Sequence, residues 1–144
     1  MATRREFKIN PLDLKKNKAI GVTLPLGGTP IFKLSYTTEE QAISNLKNLI
    51  LTRKGERPFQ PLFGTDVYSL LFEQITATTS DDLEFSLRSD IEFWLPYIII
   101  EELVVNLEED YNRVTINLVV KVSENGANTN ITILVSEQGD ISIV

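Results

Sequence analysis

Leu51-Thr-Arg-Lys-Gly55-Glu-Arg57-Pro58-Phe-Gln-Pro61-Leu-Phe63-Gly64 is the stretch whose reading decides the fold. Two glycines and two prolines fall within ten residues, between two segments with helical apolar spacing. Pro58 steers Arg57 out of the helical region, and Pro61 does the same to Gln60. Gly55 can take a positive φ and close the preceding helix. Gly64 suits a tight turn before the next element. The stretch therefore reads as a short, stiff connector that holds Glu56, Arg57, Phe59 and Phe63 in fixed directions.

Upstream, Thr37-Thr38-Glu-Glu40-Gln41 carries a capping-box pattern. Ala42, Ile43, Leu46, Leu49 and Ile50 then recur at helical spacing, which predicts a helix over 38–52 with Arg53 and Lys54 in its last turn. Downstream, Thr65 or Asp66 is placed to cap a second helix with Val67, Leu70, Leu71 and Ile75 on its apolar face, widened by Phe72. Thr76 to Ser80 breaks that helix. Thr79 or Ser80 caps a third, whose first turn gains from Asp81, Asp82 and Glu84. Leu83, Leu87, Ile91 and Trp94 form its stripe and Pro96 ends it. Phe93 and Trp94, at a helix end, read as core.

From Ile98 the period changes to two. Ile98–Leu107 is rich in β-branched residues, and Val114, Ile116, Leu118, Val120 and Val122 alternate with more polar neighbours, as a half-buried strand does. Further strands are expected over 131–135 and 141–144, with turns at Asp110/Asn112, Asn125-Gly126 and Gln138-Gly139-Asp140. Residues 1–36 read as an extended arm. Phe7-Lys-Ile9 alternates, and short strands over Ile20–Leu26 and Ile31–Tyr36 flank a turn at Gly27-Gly-Thr-Pro30. The expected architecture is α+β: about three helices packed on a C-terminal antiparallel sheet, with the arm at 1–36 and one domain over 37–144.

The chain has 144 residues, 42% hydrophobic and 24% charged, enough for one domain with a real core. No apolar run approaches the roughly 18 residues of a membrane-spanning helix. The basic N-terminus lacks the apolar stretch of a signal peptide. With no cysteine and no histidine, the sequence excludes disulfides, thiolate zinc sites, imidazole ligands and a Ser-His-Asp triad. Charge is polarised: net +4 over residues 1–18, +2 over 19–65 and −12 over 66–144. The basic arm lacks interleaved aromatics and the acidic half would repel DNA, so steering of protein partners is the favoured reading over nucleic-acid binding.

Candidates for chemistry are sparse. The neighbours Glu101-Glu102 point to opposite faces of a strand and cannot share a cleft. Asp81-Asp82 is explained by a helix start. Glu56 is the one acid in a constrained apolar setting, with Glu73 as a second carboxylate if a glycosidase-like pair exists. Glu108-Glu109-Asp110-Tyr-Asn112 lacks the glycine of a calcium loop. No metal or cofactor site is expected. Glu56-Arg57 reads as a local or interhelix ion pair that holds the connector, or else as a direct partner contact. The last strands carry no Lys, Arg or Pro after Lys121. They read either as a hairpin pinned in the domain or as an edge open to strand addition.

Asn48-Leu-Ile-Leu-Thr-Arg-Lys-Gly55-Glu56-Arg57, then Pro61-Leu-Phe63-Gly64, then Leu70-Leu-Phe72-Glu73 resembles the gene-25-like baseplate wedge family. These are sheath-initiator proteins of contractile phage tails, with relatives in type VI secretion baseplates; the family has also carried a lysozyme-like label. The resemblance spans about residues 37–107. It implies a small α+β structural protein of the virion tail baseplate, present in multiple copies in a symmetric assembly. Its implied partners are other baseplate wedge proteins, the tail sheath protein and the tail tube, with no nucleic acid and no membrane. It implies a structural motif at Gly55, Glu56, Arg57, Pro61, Phe63, Gly64, Phe72 and Glu73. It also implies strand addition along the segments of Ile131, Ile133, Val135, Ile141 and Ile143. Members commonly carry Glu-Pro-Arg after the third helix; here the place reads Leu95-Pro96-Tyr97, which makes Tyr97 a candidate partner contact. The competing function is a cell-wall-degrading glycoside hydrolase using Glu56.

Overall fold

The computed structural model describes residues 13–15, 17–24, 26, 29–68, 77–108, 113–122, 127–135 and 141–143. Among these, β1 (Gly21–Val22) and β2 (Leu34–Ser35) form a small antiparallel pair, followed by α1 (Thr38–Leu51) and α2 (Ala77–Trp94). Four antiparallel strands complete the fold: β3 (Ile99–Glu108), β4 (Arg113–Lys121), β5 (Thr129–Val135) and β6 (Ile141–Ile143). They pair in sequence order as a meander, β3-β4-β5-β6.

Helix α1 follows its sequence signals closely. Thr37 is the N-cap, and its hydroxyl accepts from the Glu40 N–H at 3.2 Å. The Glu40 carboxylate reaches back one residue beyond the usual capping-box target, to the Tyr36 N–H at 3.0 Å. Ala42, Leu46, Leu49 and Ile50 are buried. The helix stops at Thr52, so Arg53 and Lys54 lie beyond its last turn and do not serve its dipole.

The described residues hold two helices, not the three expected. Asp66–Tyr68 makes only a bend and a tight turn, and Leu70, Leu71, Phe72, Glu73 and Ile75 lie outside the described residues. The expected break over Thr76–Ser80 is overturned, because α2 is already helical at Ala77. Thr79 and Ser80 therefore sit inside it, and Ser80 Oγ donates to the Val105 carbonyl at 3.4 Å, tying α2 to β3. A Thr/Ser run weakens a helix only when its hydroxyls compete for local backbone; here one bonds across to the sheet. Asp81, Asp82 and Glu84 consequently fall after the first turn. Leu83, Leu87 and Ile91 are buried as the stripe requires, and the Leu95 N–H closes on Ile91 before Pro96.

In β4, Val114, Ile116, Leu118 and Val120 are buried while their neighbours are not, so the period-two pattern is realised residue for residue. Ile131, Ile133 and Val135 add the matching row from β5. Both rows join Leu46, Leu49, Ile50, Leu83, Leu87 and Ile91 in one core. Strand β3 departs from the expectation. Its register with β4 shifts between Ile100 and Glu102, so Glu101 is an extra residue, and both Glu101 and Glu102 are exposed. Strict alternation fails there because a bulge adds a residue to one strand only.

The segment before α1 is tied down where it is described. The Asp13 carboxylate accepts from the N–H and hydroxyl of Thr38 at 3.0 and 2.7 Å. The Leu24 N–H donates to Ser44 Oγ, and buried Ser35 donates to Gln41 Oε1 at 2.6 Å. Phe7 and Ile9, Pro25, Gly27-Gly28 and the turns at Asp110/Asn112, Asn125-Gly126 and Gln138–Asp140 lie outside the described residues.

Candidate functional site

The connector is a closed loop. Its ends meet where the Thr65 N–H donates to the Thr52 carbonyl at 2.9 Å, and Arg53 and Thr65 bridge in parallel. The buried Thr65 hydroxyl donates to the Ile50 carbonyl at 3.0 Å, and Thr52 Oγ1 donates to the Asn48 carbonyl at 2.6 Å. Inside the loop, the Gly55 N–H donates to the Pro61 carbonyl at 2.7 Å, Gln60 to Arg57 at 3.2 Å and Phe63 to Gln60 at 3.0 Å. Nearly every turn is thus held by main-chain bonds, as in a compact surface Ω-loop.

Two glycines make this closure possible. Gly55 has φ +87° and turns the loop, four residues past Leu51, the end of the helix it was expected to close. Gly64 has φ +127°, and a Cβ there would stand 2.5 Å from the Thr52 carbonyl oxygen and 2.8 Å from the Arg53 carbonyl carbon. Only a residue without a side chain lets the two ends approach so closely.

The side chains at Glu56 and Arg57 do not form the ion pair expected of them. Exposed Glu56 folds back, and its Oε2 accepts from the Arg53 N–H at 3.1 Å. Arg57 stacks over the Phe63 ring, 4.0 Å from its centroid. Phe63 meets Trp94 edge-on at 5.2 Å, and Trp94 packs against the core. The connector is therefore fastened to the end of α2 through Arg57, Phe63 and Trp94. Phe59 and Leu62, at the loop's outer side, are exposed.

A second fastening was not read from the sequence. The Lys54 ammonium lies 2.6 Å from Asp66 and 2.7 Å from Asp90 of α2, and Ser86 donates to the same Asp66 oxygen at 3.0 Å. Asp90 Oδ2 is sealed from solvent, and its approach to Lys54 is a charge pairing, not a well-aligned hydrogen bond. Burial alone would push the Lys54 ammonium down. The bonds to Asp66 and the contact with Asp90, with the charges of both, outweigh that and raise it above the ordinary lysine value of 10.5. The signal was present in the sequence: Asp90 lies beside Leu87 and Ile91 on the inward side of α2, where an acid needs a cation.

An open hollow of about 590 Å³ beside the connector is lined by Leu51, Arg53, Lys54, Gly55, Glu56 and Tyr68. Glu56 is the one carboxylate among these lining residues. Glu73, the second acid of the expected pair, lies outside the described residues. Among the described lining residues no second carboxylate faces Glu56, as glycoside hydrolysis would require. Among the described residues, no group of acids could hold a metal ion.

At the C-terminal sheet, Ile131, Ile133 and Val135 point into the core, so a partner could meet them only through their main chain. Ile141 and Ile143 belong to β6, which among the described residues pairs with Ile133, Leu134 and Val135. Thr129–Thr132 are paired with β4 on one side, and no described strand covers their other side. Tyr97 is half-buried and turned inward: Asn45 Nδ2 of α1 donates to its hydroxyl at 3.0 Å.

Residues 37–127 match the family described as baseplate wedge protein gp25. The chain is 36% identical over 80 residues to baseplate wedge protein gp25 of Enterobacteria phage T4, a match covering 56% of this chain and 59% of that protein. The chain thus spans about three-fifths of the length of that curated relative. Two solved structures share the fold. One is provisionally described as a tail lysozyme from Geobacter sulfurreducens, with TM-score 0.59 and 20% identity over 79% of this chain and 96% of that one. The other is from the baseplate complex of the type VI secretion system, with TM-score 0.54 and 14% identity over 65% of this chain and 88% of that one. With the family match running from the cap of α1 to beyond β4 and across the whole connector, the chain belongs to the baseplate wedge protein gp25 family.

Proposed function

We propose that the protein is a structural subunit of a contractile tail baseplate wedge, not an enzyme, and that it templates sheath assembly by accepting strands at its C-terminal sheet. It would be made in the bacterial host cytoplasm and reside in the virion tail. There it would pack in multiple copies with other wedge proteins, the sheath protein and the tail tube, without nucleic acid or membrane. The basic arm over 1–36 would contribute to those contacts.

The observation that carries this reading is the asymmetry of the two sheet edges. Strand β3 is blunted by the bulge at Glu101 and by exposed Glu101, Glu102 and Glu108, devices that discourage pairing. Among the described residues, short β6 at the opposite edge covers only Ile133–Val135 of β5, and the sequence has no charged residue from Thr129 to Val135. Backbone groups along such an edge supply affinity for an added strand.

Deleting Ile141–Val144 is expected to leave a cooperatively folding domain by circular dichroism while abolishing co-assembly with sheath protein. Normal sheath polymerisation by the truncated protein overturns the reading. A cell-wall turnover assay on the purified chain tests the hydrolase alternative: no activity is expected, and activity that disappears in Glu56→Gln with the fold intact would reverse the assignment.

A further inference from the structure

Helix α2 carries two apolar faces. Leu83, Leu87 and Ile91 are buried in the core, so its outer side should be polar. Instead Phe85 is 78% exposed and Phe93 is 73% exposed. Ser89 lies midway between them, so the three follow one i, i+4 row along the outward surface, spanning about 12 Å at the helical rise. Ser89 is exposed and small, which leaves a notch between the two rings. Phe93 is braced from behind: its ring meets Trp94 edge-on at 5.1 Å, and Trp94 is held by Phe63 under Arg57. A ring already fixed in place loses little freedom on docking.

The charges around this row have one sign. Helix α2 bears Asp81, Asp82, Glu84, Asp90 and Glu92 against Arg88 alone. Arg88 pairs with Glu84 at 3.6 Å and Asp90 with Lys54 at 2.7 Å. Asp81, Asp82 and Glu92 are exposed and have no ion-pair partner among the described residues. Because α2 starts at Ala77, Asp81 and Asp82 lie after its first turn and the helix dipole does not account for them.

We propose that the Phe85–Ser89–Phe93 row of α2 is a docking face for a basic amphipathic helix of a partner protein. The partner's apolar stripe covers the two rings, one of its side chains enters the notch at Ser89, and its Lys or Arg side chains face Asp81, Asp82 and Glu92. Rings recurring at a helical repeat suit a second helix laid along the first, and the flanking acids select its charge. This face lies in the helical layer and does not depend on strand addition at the sheet.

Trp94 is the chain's one tryptophan and touches Phe93, so its emission reports on the row. The full chain is titrated with a tryptophan-free helical peptide built of Leu and Lys at amphipathic spacing, with a Glu-for-Lys version and a scrambled version as controls. The Lys peptide is expected to shift Trp94 emission and to bind at least tenfold more tightly than either control. Phe85→Ser alone should weaken it severalfold, and Phe85→Ser/Phe93→Ser at least tenfold. Asp81→Asn/Asp82→Asn/Glu92→Gln should remove most of its salt dependence. Phe85 makes no ring contact with Trp94 among the described residues, so its variant stays informative even if the double variant folds poorly. Equal binding of the scrambled peptide, or unchanged affinity in Phe85→Ser, overturns the proposal. So does self-association in sedimentation equilibrium that the double variant abolishes, since the row would then serve a second copy of this chain.

Discussion

Between Thr52 and Thr65 the chain is closed on itself by main-chain bonds and by a glycine with no room for a Cβ. Between Ile99 and Ile143 it is held by ladder bonds and a row of aliphatic side chains, Ile116, Leu118, Ile131 and Ile133 among them. In the connector the identity of single residues decides whether the backbone can close. In the meander, pattern and volume decide, and similar residues can exchange. The difference predicts that the connector tolerates substitution less than the strands do.

Removing volume from the meander should give the largest effect. Ile116 is fully buried, and Ile116→Ala is expected to cost about 4 kcal/mol, measured by denaturant unfolding. Ile116→Val removes a single carbon and should cost only about 1 kcal/mol. The connector should reverse that tolerance. Gly64→Ala adds a single carbon, but its φ and the fixed Thr52 carbonyl leave nowhere to put it, and about 3 kcal/mol is expected. Gly55→Ala sharpens the point: its Cβ would meet nothing within 4 Å, so only the positive φ is penalised, about 1 kcal/mol. Equal losses at Gly55 and Gly64 would break the comparison, because close approach would then play no part.

Arg57→Ala should have a smaller effect. A buried ion pair there would make the loss about 3 kcal/mol. The observed stacking on Phe63 predicts about 0.5–1 kcal/mol. Lys54 gives a test that depends on pH. Its raised pKa means the folded state holds the proton more tightly, so this stabilisation is fully present below pH 10.5 and is lost as pH rises through the higher folded value. The unfolding midpoints of wild type and Lys54→Gln should differ by a constant amount from pH 6 to 9 and converge above 10.5. A difference that grows with alkalinity would contradict the Asp66–Lys54–Asp90 network.

Much of the fold was legible because its signals are local. The cap at Thr37, the stripe from Ala42 to Ile50 and the alternation from Val114 to Val120 each state their structure within a few residues. The start of α2 was misread because Thr79 and Ser80 resemble a cap, and the carbonyl that takes up Ser80 comes from β3. The Glu56–Arg57 pair was misread for a similar reason. Adjacent opposite charges suggest each other, whereas the loop turns Glu56 back to Arg53 and lays Arg57 on Phe63. Phe93 was read as core because composition does not say which side of a helix end is covered.

By itself, the sequence determined the α+β class, the first helix, the stiff connector and the alternation of the central strands. Each follows from backbone preferences and periodicity that act over one or two turns. Only the tertiary structure decided that Gly64 lies against the Thr52 carbonyl and that Lys54 bridges Asp66 and Asp90. It also decided that the bulge at Glu101 blunts one sheet edge, and that Phe85 and Phe93 face outward. These depend on which surfaces meet once the helices dock on the sheet, and that is set by the packing of the whole core. The connector announces the family through its own residues, but the clamp it forms exists only because α2 arrives beside it.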